Sequence, residues 1–317
     1  MKIFKSINIP SNYKNAVLAI GNFDGLHNGH KKVFREAKRL ANKRKLKFGI
    51  LTFDPLPAMY FNKKIKNFRI NNDKQKEEQI KKLGVDFLIN KKFNYDFSRK
   101  SSYFFIKKII KKKINPKFLF VSNNFKFGHN RQGNVFQLRS SGESLGFKLV
   151  ITKPFKYKKK IVSSTLIRNL LIFGKLDLTN KLLGRNWSIN GHVKKGKRVG
   201  KKLGFPTCNI DIKNYILAKP GVYGVKVRIK NSKKLINGIA NLGYRPTFGG
   251  KNVILEVNLF NIKRNLYKKE LTVYFQKFVR NEKKFKNKDQ LIKQIFKDIQ
   301  IAKNSFKNKV ILWLKKI

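Results

Sequence analysis

Acidic residues are what this chain most lacks: 16 Asp plus Glu stand against 75 Lys plus Arg in 317 residues, a formal charge of +59. An excess of that size ordinarily marks a protein whose partner is nucleic acid or an anionic surface. The lysines, however, form neither a stripe nor a tail. They run through helix-like, strand-like and loop-like segments alike, in company with abundant Asn, Ile and Phe. Such a spread is a chain-wide compositional drift toward A/T-rich codons rather than an electrostatic footprint. It implies salt-sensitive adhesion to polyanions and some self-repulsion, with no specific nucleic-acid partner.

Cysteine is nearly absent. Cys208 has no second thiol in the chain, which excludes an intramolecular disulfide and makes the reducing cytoplasm the expected compartment. Long apolar runs are missing too. No stretch approaches eighteen uncharged apolar residues, and MKIFKSINIP at the start is not followed by an apolar segment, so neither a membrane partner nor a leader is expected. No internal repeat is evident, and nothing fixes an oligomeric state. The length makes two domains the default expectation.

The most informative stretch present is GNFDGLHNGH, residues 21–30. Ahead of it AVLAI, 16–20, reads as a short buried strand. Behind it the segment from Asn28 to about Arg44 sets Val33, Ala37, Leu40 and Ala41 on one helical stripe. The motif is therefore a strand-to-helix turn, where unpaired backbone N–H groups and the positive end of a helix dipole favour an anion. Gly21, Gly25 and Gly29 let the backbone bend and approach a ligand, with Asn22 and Phe23 between them. His27 and His30 share one side of the first turn, placed to donate to ATP phosphates and to stabilise charge on the α-phosphate and departing pyrophosphate. The alternative for either histidine is a cap or core residue.

Through the first half, strand-like runs alternate with helical patterns: 47–53, a helix over 73–83, 85–89, a helix over 101–112, 118–121 and 147–152. That alternation predicts a parallel sheet with crossover helices and a ligand crevice at the strands' carboxyl ends. VSNNFKFGHNRQGN, 121–134, lies at such an end, so Asn124 and Arg131 either face the crevice or belong to a solvated loop. Ser163, Ser164 and Thr165 open a helix whose buried stripe is Leu166, Ile167, Leu170 and Leu171. Its hydroxyls either cap it or, with Arg168, clamp a polyphosphate from the other side.

After Arg185 the pattern changes to period two. Tyr223, Val225, Val227 and Ile229, then Val253, Leu255, Val257 and Leu259, alternate with their neighbours as half-buried antiparallel strands do. Further strands fit 187–195, 234–241 and 271–279. A last helix follows, with Leu291, Ile292, Ile295, Phe296, Ile299 and Ala302 on one face. The expectation is a small β-barrel with a terminal helix, divided from the first domain near Arg185 and Asn186.

Within GHVKKGKRVGKKLGFPTCNI, 191–210, Gly191 to Arg198 nearly spells a P-loop, but Arg198 stands where Ser or Thr should bind magnesium and no helix follows. That motif is rejected. Thr207 and Asn209, on one side of an extended segment, are hard oxygen donors suited to a divalent cation also held by phosphates and water. Gly196 and neighbouring glycines would let the basic loop fold over a nucleotide. Glu256 faces away from its core-directed neighbours, as a general base would, or as a partner in a surface ion pair.

Taken in order, GNFDGLHNGH, TFDPLP (52–57), NNFKFG (123–128), VSSTLIRNLLIFGKLDLTNKLLGR (162–185), LGFPTCNI (203–210), GVYGVKV (221–227), GIANLGYRPTFGG (238–250) and LEVNLF (255–260) resemble the bacterial bifunctional riboflavin kinase/FAD synthetase family over nearly the whole chain. The resemblance implies a Rossmann-like nucleotidyltransferase domain at 1–185 and a riboflavin-kinase-type antiparallel β-barrel with a terminal helix at 186–317. It implies riboflavin, ATP and Mg2+ as partners in making FMN, then FMN and a second ATP in making FAD. Thr207 and Asn209 match the metal and nucleotide motif, Glu256 the catalytic base, and Arg280 a residue near the flavin. His27 and His30 match the phosphate-binding pair, Asn124 a substrate contact, and Ser164, Thr165 and Arg168 the second clamp. Leu56 departs from a common histidine, Ser122 from a frequent glycine and Asn123 from an acid. These departures define a second reading, a kinase with a decayed adenylyltransferase.

Overall fold

Strand runs without a charged residue, such as VLAI at 17–20, can be buried on both faces only if helices cover both sides of their sheet. The computed structural model describes residues 1–65, 67–196, 200, 203–212, 215–247, 250–262 and 265–314, and shows that arrangement. β1 (Lys2–Phe4), β2 (Val17–Ile20), β3 (Phe48–Asp54), β4 (Phe87–Lys92), β5 (Phe118–Ser122) and β6 (Lys148–Thr152) form a sheet in the order β1-β4-β3-β2-β5-β6. Every pairing in it is parallel. Leu18, Ile20, Leu51, Ile89 and Leu119 pack on one face with Phe105, Ile106, Ile109 and Ile110. Val17, Ala19, Phe48, Ile50 and Phe120 pack on the other with Phe34, Ala37 and Ala41 of the helix Asn28–Lys43. The strand order reverses between β2 and β5, so a crevice opens there at the carboxyl ends, and both loops singled out above begin there.

Several elements depart from the pattern read in the sequence. The expected helix over 101–112 is a single α-turn, Ser102–Phe104, followed by a wider-wound helix, Phe105–Ile114, closed by Asn115 N–H donating to Ile110 O at 2.7 Å. Helices Val135–Leu145 and Leu176–Leu183 and the hairpin of β7 (Lys156–Tyr157) with β8 (Lys160–Ile161) are not among the elements expected from the sequence, although Leu176, Thr179, Leu182 and Leu183 are buried at helical spacing. Val135–Leu145 buries only Val135, Leu138 and Gly142; its ends are set locally, by the Asn134 cap and by Gly146 at φ 76°.

Contacts divide the chain into two units, Met1–Lys66 with Asp73–Ser164, and Asn67–Asn72 with Thr165–Ile317. In the second, Asn180 donates to Phe275 O at 3.0 Å and accepts from Trp187 N at 2.7 Å, while the Trp187 indole donates to Ile70 O at 3.0 Å. β9 (Ser188–Lys194), β10 (Thr207–Asp211), β11 (Gly221–Ile229), β12 (Leu235–Thr247), β13 (Gly250–Leu259) and β14 (Glu270–Arg280) close into an antiparallel barrel in the order β10-β13-β12-β11-β14-β9. Val225, Val227, Leu255 and Val257 are fully buried, as their alternation requires.

The terminal helix, Lys288–Leu314, lies against this barrel, and a methyl group at Gly224 would come within 3.3 Å of Ala302 Cβ. Its buried stripe differs from the one read from apolar spacing. Phe296 is 61% exposed, touching Phe205 only edge-on, whereas Asp298 is 2% exposed. Asp298 is inside because Arg280 and Gln294 satisfy it, each donating at 2.9 Å. A hydropathy pattern cannot register a buried acid that is paired.

Candidate active sites

In the first unit, His27 caps the helix Asn28–Lys43, its Nδ1 accepting from His30 N–H at 3.4 Å. The two imidazoles stack at 3.7 Å between centroids and 21° between planes. Capping and phosphate binding are thus compatible: an Nδ1 that accepts leaves the proton of a neutral ring on Nε2, as a donor. Phe23 packs edge-on to His30 at 5.2 Å and to Phe34 at 4.8 Å, which fixes the second ring.

The turn's backbone is less conventional than its glycines suggest. Gly25 has φ 79°, but Phe23 at 48° and Leu26 at 41° are also left-handed, and burial of both side chains holds them there. Gly21 and Gly29 serve close approach instead. A Cβ on Gly21 would meet the Phe23 ring at 3.0 Å, and one on Gly29 the His27 ring at 2.9 Å and Val162 O at 3.1 Å. The Asn22 carbonyl accepts from the Thr52 hydroxyl at 3.2 Å, and the Asp24 carbonyl from Ser164 at 2.9 Å. Asn124 and Arg131 are exposed on the loop after β5. Thr165 is exposed in the second unit, where the Arg168 guanidinium stands 3.7 Å from the Phe68 ring centroid and donates to Phe68 O at 2.9 Å. Leu56 is buried.

The second unit holds a cavity of about 440 Å³ between the outer barrel face and the terminal helix, and Thr207, Asn209, Glu256 and Arg280 all line it. Strand register explains why. Asn209 lies opposite Glu256, Glu256 opposite Asn241, Asn241 opposite Val222, and Val222 opposite Arg280, one row across five neighbouring strands. Directly opposed residues have Cβ atoms about 5 Å apart and share a face. Among the described residues no ion pair involves Glu256. Asn209 Oδ1 is buried with no hydrogen-bond partner among them, as a hard ligand awaiting a cation would be. A side chain at Gly196 would overlap the Asn209 amide. Arg198 of the rejected P-loop lies outside the described residues.

Arg280 is anchored by its Nε, at 2.9 Å from both Asp298 oxygens, and by Nη2, at 2.8 Å from Oδ2. Sequence reading singled out neither Asp298 nor Asn241, which also lines the cavity. Asn241 had one signal available, a polar residue between Ala240 and Leu242 in a strand-like run. Cys208 points away from Thr207 and Asn209, and burial pushes its thiol up to about 11.

A parallel-sheet nucleotide fold joined to a barrel with an oxygen-lined cavity defines a two-domain transferase class. The comparisons identify which. Residues 9–166 match the family model for FAD synthetase, and 183–306 that for riboflavin kinase. The bifunctional riboflavin kinase/FMN adenylyltransferase of Buchnera aphidicola subsp. Schizaphis graminum is 38% identical, over 96% of this chain and 99% of its own. The protein of the same name from Escherichia coli K12 is 32% identical over 96% and 98%. A crystal structure described as a macrolide-efflux protein from Streptococcus pneumoniae superposes with TM-score 0.83 at 27% identity, covering 95% of this chain and 98% of that one. Among the described residues no helix is long and apolar enough to cross a membrane. The chain belongs to the bifunctional riboflavin kinase/FMN adenylyltransferase family and carries both its halves.

Proposed function

We propose that residues 186–317 phosphorylate riboflavin and residues 1–185 convert the resulting FMN to FAD, each with its own ATP. The observation that carries the kinase assignment is the convergence of Thr207, Asn209, Glu256 and Arg280 on one cavity. Glu256 accepts the proton of the ribityl 5′-hydroxyl as that oxygen bonds to the γ-phosphorus and the bond to ADP breaks. Thr207 and Asn209 would hold Mg2+, which neutralises phosphate charge when bound. Their oxygens fit it, and among the described residues no cluster of three or more His, Cys, Asp or Glu offers a closed protein cage instead. Arg280, fixed by Asp298, borders the flavin end.

In the adenylyltransferase half, an FMN phosphate oxygen bonds to the α-phosphorus of ATP and the bond to pyrophosphate breaks. Backbone N–H groups of the 21–30 turn and the two histidines receive the phosphates. Asn124 and Ser164, in the same unit as that turn, contact substrate, and Thr165 and Arg168 match the remainder of the family's clamp motif. The intact geometry of the turn favours a working adenylyltransferase over a decayed one. The lone cysteine favours the cytoplasm, and the scattered lysines argue against a specific nucleic-acid partner. Purified protein given riboflavin, ATP and Mg2+ is expected to yield FMN and then FAD on chromatography. Folded protein yielding neither would overturn the proposal; FMN without FAD, even from added FMN, would restore the decayed-domain reading.

A further inference from the structure

On the sheet face that packs against the helix Asn28–Lys43, the side chains turn from apolar to polar at the carboxyl edge. Phe48 and Ile50 of β3 belong to the core there, and the next residue on that face, Thr52, is fully buried. Its cross-strand neighbour on β4 is Asn90, also buried, with Oδ1 unpartnered among the described residues. Into this edge reaches Lys76, from the helix Asp73–Lys82, only 7% exposed, whereas the other lysines whose burial is described are at least partly exposed. Its ammonium donates to Thr52 Oγ1 at 2.6 Å, and that hydroxyl donates in turn to the carbonyl of Asn22 at 3.2 Å. Asn22 immediately precedes Phe23, whose backbone is held at φ 48°.

An ammonium has only donors, so it occupies a hydroxyl lone pair and leaves the hydroxyl proton one direction to go, toward the Asn22 carbonyl. A left-handed non-glycine residue persists only where its surroundings over-determine it. We propose that Lys76, acting through Thr52, is a positioning residue of the adenylyl-transfer site. It locks the Asn22 carbonyl onto β3 and so keeps the 21–27 amides turned toward the phosphates. The inference rests on the assignment of that turn to ATP, and its test separates the two.

Lys76→Met, Thr52→Val, Thr52→Ser and the double variant Lys76→Met/Thr52→Val are made in the full chain. FAD formation from added FMN is expected to lose at least tenfold in kcat/KM for ATP in Lys76→Met and in Thr52→Val. Thr52→Ser, which keeps the hydroxyl, stays near wild type, and the double variant is no worse than either single. FMN formation from riboflavin is unchanged throughout. By hydrogen exchange, amides of 21–27 open severalfold faster in Lys76→Met and Thr52→Val while the helix 73–82 keeps its protection. Wild-type exchange at 21–27 in both variants overturns the proposal, whatever happens to FAD formation, as do additive losses in the double variant. Faster exchange at 21–27 in a protein whose wild type makes no FAD upholds the relay and sinks the assignment of the turn instead.

Discussion

The two sites are assembled on opposite principles. In the sheet unit the site is largely backbone: a turn with left-handed Phe23, Gly25 and Leu26, a helix N-terminus, and two histidines of which one caps that helix. In the barrel it is side chains, Asn209, Glu256, Asn241 and Arg280, set in a row by antiparallel register. A backbone site depends on whatever fixes the turn, so its sensitive residues include ones that never meet a ligand. A register site depends on strand pairing that the whole barrel enforces, so its sensitive residues are mostly those that face the cavity.

Single substitutions should separate the two. The largest effect is expected from Glu256→Gln, which removes the proton acceptor and leaves the shape. FMN formation should fall by about 10²–10⁴-fold, while FAD formation from added FMN is untouched, both measured by chromatography of the products. His30→Ala should do the reverse, lowering FAD formation by about 10²-fold, the loss typical of one donor to developing phosphate charge. Loss of both activities in either variant would mean that the sites do not act independently, and the contrast would fail at its root.

A smaller effect is expected where the barrel site does lean on a supporting residue. Asp298→Asn leaves the Arg280 guanidinium beside a neutral amide, and breaking a pair so deeply placed costs about 3–5 kcal/mol when the remaining charge stays buried. Arg280 side-chain exposure is 22%, so part of that is relieved by water. The expected outcome is a raised KM for riboflavin and a lower barrel melting temperature, with kcat changed less than in Glu256→Gln. An unchanged KM would show that Arg280 does not need its partner.

What the sequence revealed follows the same division. The alternation of Val225, Val227, Leu255 and Val257 gave both the barrel and the outward direction of Glu256, because period-two burial is a local signal. The strand-turn-helix at 17–43 was legible for a similar reason: a short apolar run, glycines and a helical stripe are adjacent in sequence. Hidden were features that depend on pairing between distant residues. Asp298 is buried only because Arg280, eighteen residues away, pairs with it. Asn241 acquired meaning only from its register with Glu256. The left-handed Phe23 was unreadable because its conformation is set by Phe34 and His30 packing and not by its own preference.

The smallest expected effect tests the barrel register without touching the chemistry. Cys208 lies between Thr207 and Asn209, and period-two geometry turns its thiol to the opposite, interior face, where burial pushes it up from an ordinary 9.0 to about 11. A thiol raised by burial is protonated and unreactive at pH 8, so alkylation of the folded chain should be slow and should speed up on unfolding. The sign for stability follows from proton counting: between about 9 and about 11 the folded chain holds a proton that the unfolded chain has released. The contribution is therefore complete below pH 9 and lost as pH rises toward 11. Cys208→Ala should remove that alkaline slope from the unfolding curve while leaving FMN formation nearly intact. Rapid alkylation in the folded state would place the thiol on the cavity side, and Thr207 and Asn209 would then point into the barrel, away from any phosphate.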